Sequence, residues 1–156
     1  MKSVRATIRL SAALPVICSL MLALTLTPAL VNAHDDKDPR HIAMSTLGKN
    51  MKAIKGAVKA GKITPDLQKR ADEIAEISTR LLSLFPEGKQ AVDSRAKPEI
   101  WSDAAGFKKA NDKFIGAAAV LVKAVGSGDP AAVGVALKGA GKTCGGCHKP
   151  YRLPKK

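Results

Sequence analysis

Two thiols and an imidazole stand within five residues near the C-terminus: Cys144-Gly145-Gly146-Cys147-His148. Residues three apart on a helix share a face. Both thiols can then reach one edge of a planar group, and the adjacent imidazole falls beneath its centre. This is the spacing of covalent c-type haem attachment, with two thioethers to the vinyl groups and a proximal histidine on the iron. The intervening glycines leave room for the macrocycle edge. Three other chemistries use the same residue types. A thioredoxin-like pair needs a strand before it and a βαβ context, and neither pattern occurs here. Zinc needs four ligands, for which only His34 and His41 could join the three. A structural Cys144–Cys147 disulfide suits an oxidising compartment.

The N-terminus bears on that choice. Lys2, Arg5 and Arg9 precede a mostly apolar run from Leu10 to Leu30, which ends Val31-Asn32-Ala33 before the polar His34-Asp35-Asp36. This pattern predicts a secretory signal at residues 1–33, cut after Ala33, with a retained membrane anchor as the alternative. Cleavage removes Cys18 and leaves 34–156 as one domain with two cysteines. Haem is attached to c-type proteins after export, so the signal favours haem over the other readings.

Four amphipathic helices must position the motif. A seam of Met44, Leu47, Met51, Ile54 and Val58 steps by three and four, from an Asp38-Pro39 start to a stop at Gly61. A second helix is expected from a Thr64 cap, along Leu67, Ala71, Ile74, Ile77 or Ser78, and Leu81, ending near Phe85-Pro86. Residues 86–98 read as the one long loop. A third helix is expected from Lys97-Pro98-Glu99 to about Val125, carrying Trp101, Phe107, Phe114, Ala118 and Leu121. Gly126-Ser127-Gly128 breaks it. Asp129-Pro130 opens the fourth, with Val133, Leu137, Ala140, Cys144 and Cys147 on its seam. Pro150 would perturb or close its last turns. The fold class is therefore all-α, an antiparallel four-helix bundle. Aromatic content of 3% argues against a β-sandwich.

Several stretches resemble the class II c-type cytochromes, the cytochrome c′ family with its low-spin c-556-type relatives. These are Arg40-His41-Ile42-Ala43-Met44 with Gly48 and Met51, Leu84-Phe85-Pro86, Pro98-Glu99-Ile100-Trp101 with Phe107, and Cys144–His148 followed by Tyr151-Arg152. The resemblance spans nearly all of 38–153. It implies one covalent haem c in a four-helix bundle, commonly a homodimer, in the periplasm. It also places Met44 over the distal face of the haem, Arg40 near a propionate and Arg152 on the proximal side.

Two functions follow from what Met44 does. As a sixth ligand, its thioether would suit the iron to electron transfer with His148 on the other side. This is the leading expectation. As a seam residue only, it would leave a five-coordinate iron open to NO or CO. Met51 reads as core, and His41 is a less favoured alternative ligand. His34 lies at the new N-terminus and reads as solvated. Trp101 reads as a packing anchor.

Lys and Arg total 26 against 13 acids, a charge of +13, and loss of residues 1–33 takes three cations and no acid, leaving +10. Such a balance could signal nucleic acid. The lysines are instead spread over all four helices without interleaved aromatics, so the reading is no nucleic acid. An acidic redox partner suits a cationic surface around a haem edge. No paired carboxylates or catalytic triad can be located, so no enzyme is expected.

Overall fold

The computed structural model describes residues 38–88 and 94–154. The chain divides into two units, Met1–Asn32 and Ala33–Lys156, and all described residues belong to the second. The expected signal at 1–33 and His34 lie outside the described residues.

Helix α1 spans Pro39–Lys59. Asp38 caps it, its carboxylate accepting from the Arg40 N–H at 2.9 Å. Proline at the first helical position loses no bond there. The helix stops where Gly61 turns left-handed, at φ +63°. Helix α2 spans Asp66–Arg80. The expected Thr64 cap does not form: its hydroxyl donates to the Asp66 side chain instead of accepting from the backbone. A 3-10 turn, Leu81–Leu84, carries the chain to Phe85.

The third expected helix is two. Helix α3 is one turn, Glu99–Ser102, and α4 runs Ala104–Gly126. Asp103 makes the break, since its extended φ of −120° ends α3 and its carboxylate accepts from Gly106 N–H to start α4. Helix α5 spans Pro130–Tyr151, capped by the Asp129 carboxylate on two backbone N–H groups. As expected, Pro150 lies in its last turn, which closes just beyond it. The helix runs one residue further, and Arg152 N–H still reaches His148 O at 3.0 Å.

The long helices close a ring, α1 on α2, α2 on α4, α4 on α5 and α5 on α1. This is the four-helix bundle the seams predict. Among the described residues there is no strand, only an isolated antiparallel bridge between Ala96 and Arg152. No helix of the described residues is long and apolar enough to cross a membrane.

Two clusters fill the interior. The larger joins Ile54, Leu67, Ile74, Ile77, Leu121 and Val133 along the bundle. Each such aliphatic contributes about 1.5–3 kcal/mol on burial. The smaller gathers Ala96, Ile100, Phe107 and Tyr151, with Phe85, Trp101 and Cys147 packed against them.

Candidate functional site

Helix α5 presents Cys144 and Cys147 one turn apart, both half-buried and both free thiols. Burial pushes both thiols up from their ordinary range. The Cys144 thiol donates weakly to Ala140 O at 3.4 Å, and Cys147 leans into the aromatic cluster. Between them Gly145 and Gly146 keep the helix face bare: a Cβ at either would meet nothing within 4 Å. Among the described residues no group of three or more His, Cys, Asp and Glu is placed to hold a metal ion, and His34 lies outside them.

His148 is half-buried beside the second thiol. Desolvation lowers its pKa first, and the Arg152 and Arg95 guanidinium charges lower it further. The imidazole is thus neutral at neutral pH, with a lone pair to give.

Arg95 was invisible to local spacing. Its guanidinium donates to Leu153 O at 2.6 and 3.0 Å, across 58 residues of chain. Leu153 N–H returns to Arg95 O at 2.8 Å, and Lys97 N–H to Tyr151 O at 3.1 Å. This short ladder sets the chain beyond α5, so Arg152 lies near His148 although its side chain is exposed.

The aromatic cluster holds the end of α5 from the other side. Tyr151 donates to the Asp103 carboxylate at 2.7 Å. Phe107 meets Phe85 and Tyr151 edge-on, with centroids 5.3 and 5.2 Å away. A Cβ on Gly106 would strike both the Asp103 carboxylate and the Tyr151 hydroxyl, so glycine is required there. Trp101 Nε1 donates to Phe85 O at 3.1 Å, which makes it the packing anchor its position predicts. The Cys144–His148 spacing does not reveal that Asp103 and Tyr151 hold the end of α5.

Met44 and Arg40 lie on α1. Val58 lies opposite Gly134, and Met51 and Gly141 line one groove. That antiparallel register, carried two turns on, puts Met44 level with His148. Met44 is half-buried and packs on the larger cluster, together with Met51. His41, one turn earlier, is exposed. The Arg40 guanidinium stacks over Phe85 at 5.6 Å and approaches Asp38 with Nε at 3.5 Å. Its Nη1 is buried without a hydrogen-bond partner. A buried cationic donor left open is costly unless an anion completes it. A haem propionate has the charge and the geometry for that bidentate role. With the bare glycine face, the paired thiols and the neutral imidazole, the residues fit a covalent haem.

Comparison with known proteins agrees. A family model described as Cytochrome C' matches residues 36–152. The cytochrome c' of Pararhodospirillum photometricum is 37% identical over 115 residues, covering 72% of this chain and 92% of its own. The cytochrome c-556 of Agrobacterium fabrum is 32% identical over 145 residues, covering 91% and 97%. A solved nitric oxide complex of a cytochrome c prime variant from Alcaligenes xylosoxidans is 27% identical with a TM-score of 0.66, covering 74% of this chain and 91% of that one.

Proposed function

The chain belongs to the cytochrome c′ family, whose members carry covalently attached haem c, and on that premise we propose a gas-binding haem protein with an open distal face. Cys144 and Cys147 are the thioether anchors, and His148 is the proximal ligand. Residues 1–33 are the export signal, and 34–156 work in the periplasm as a homodimer. The observation that carries this reading is the nitric oxide complex of a relative with the same fold. Met44 is compatible with it, since its half-buried side chain packs against the bundle core as a seam residue does.

When bound, the haem supplies an iron that can take a diatomic ligand and exchange one electron. The chain's own residues set the conditions. Burial and the Arg95 and Arg152 charges keep the His148 imidazole unprotonated. The ladder from Arg95 to Leu153 and the Tyr151–Asp103 bond hold the turn that carries His148. Arg40 meets a propionate. Met44 narrows the distal side as an apolar lid, admitting a small neutral ligand and excluding bulk water.

The second reading keeps the electron carrier expected from the sequence, with Met44 as sixth ligand. Its level position against His148 and the c-556 relative favour it. The nitric oxide complexes favour the open face more. Visible spectra of the natively matured protein and of Met44→Leu separate the two. The open-face reading expects a high-spin ferric spectrum in both and a shift of the ferrous band with CO. A low-spin native spectrum that ignores CO, turning high-spin in Met44→Leu, overturns it in favour of the second. No enzymatic role is part of either reading.

A further inference from the structure

Adjoining the haem motif on its N-terminal side along α5, α1 and α5 leave a groove of about 640 Å³. That size lies within the range of clefts that seat a ligand or an anchoring side chain, about 300–1,000 Å³. Val58 and Leu137 form its apolar walls, and Gly134 and Gly141 open the α5 side by lacking side chains. Lys52, Lys55 and Lys59 line one rim and Lys138 the other. None of these four lysines forms an ion pair with a described residue.

Charge distribution makes the groove selective. Neither α1 nor α5 contains a single Asp or Glu. The three lysines of α1 step by three and four, covering two turns or about 10 Å. Carboxylates at the same spacing on another helix would meet them in register, while apolar residues between those carboxylates would enter the groove. A second copy of this chain does not offer such a helix. The acids of α2 are interleaved with Lys69, Arg70 and Arg80, and all four are engaged, Asp66 with Thr64, Asp72 with Gln68, Glu73 with Asn50 and Glu76 with Arg80.

We propose that the α1–α5 groove is the docking site for an acidic amphipathic helix of a partner protein. The groove reaches Gly141, one helical turn before Cys144, so a docked partner lies beside the thioether edge of the site. The inference rests on the bundle and its charges, not on which ligand the iron carries.

The test uses the haem-loaded mature protein and a synthetic helical peptide with a leucine stripe flanked by glutamates. Calorimetry at low salt should detect binding that weakens as salt rises. A glutamine version of the peptide should bind at least about tenfold more weakly. Lys55→Glu with Lys59→Glu should cost a similar factor. Gly141→Leu fills the groove without altering charge, and the Cβ it adds meets nothing within 4 Å. It should also weaken binding by about tenfold while the haem spectrum stays native. Absence of peptide binding overturns the proposal. So does equal binding by Gly141→Leu, which would mean charge attraction alone. Preferential binding to phosphatidylglycerol vesicles, weakened by the same lysine changes, overturns it in favour of a membrane surface. The haem spectrum of each sample reports separately on the haem assignment.

Discussion

Around Ile54, Ile74, Leu121 and Val133 the bundle is closed mainly by aliphatic side chains, with Phe114 among them, whereas around Cys147 it is closed by Phe85, Trp101, Phe107 and Tyr151. The first region obeys the seams alone. At its apolar positions another apolar side chain of about the right volume would serve, because dispersion and burial are non-directional. The second region is directional. Its rings meet edge to face, Trp101 and Tyr151 each donate a hydrogen bond, and a glycine is required at 106. One end supplies stability, and the other uses stability to fix the direction of a few functional atoms.

The contrast can be broken by matched deletions. Phe107→Ala should cost about 3–5 kcal/mol and also disturb the haem spectrum, because the ring supports Tyr151 and Cys147. Ile74→Ala should cost about 2–5 kcal/mol and leave the spectrum unchanged. Urea unfolding and visible spectra of the two variants check this. Equal spectral effects would mean that the two ends are not separate.

Arg40→Met sharpens the same point at lower energy. In the haem-loaded protein it should cost about 1–3 kcal/mol, through loss of a charge-assisted bond. In the haem-free chain it should cost less, because it also removes the buried, unpartnered Nη1. Thermal unfolding of both forms reads the difference.

The smallest effect is expected at Tyr151→Phe, which keeps the ring and loses the bond to Asp103. The Asp103 carboxylate, through that hydrogen bond, pushes the Tyr151 hydroxyl up to about 12. A hydroxyl raised in the fold stabilises it fully below its ordinary value near 10, and the contribution fades as pH rises through about 12. Stability measured across that window should fall by a smaller step in Tyr151→Phe than in the native protein.

The sequence reveals the aliphatic region more fully than the aromatic one. Periodicity locates the seams of α1, α2, α4 and α5 because an apolar stripe is a local property. It also places Cys144, Cys147 and His148 on one helix. The break at Asp103 is hidden, since the apolar positions Trp101 and Phe107 run across it. Asp103 is recognisable only once Gly106 and Tyr151 are known to meet it. The Arg95–Leu153 pairing joins residues 58 apart in sequence, which no local pattern encodes. Pro150 reads as perturbing or closing the last turns, and α5 does end at Tyr151, with Arg152 N–H to His148 O as its final bond. Thr64 reads as a cap, yet its hydroxyl donates to the Asp66 side chain and no side chain caps α2.

The central claim is that the aromatic end of α5 is a covalent haem site, and the intact mass of natively matured protein tests it most directly. Expressed in a host that attaches haem, the denatured protein should retain the mass of one haem. Peptide mapping should place it on Cys144 and Cys147, and replacing both cysteines by serine should abolish it. A chain that keeps its thiols unmodified, or joins them in a disulfide with no haem attached, would contradict the account.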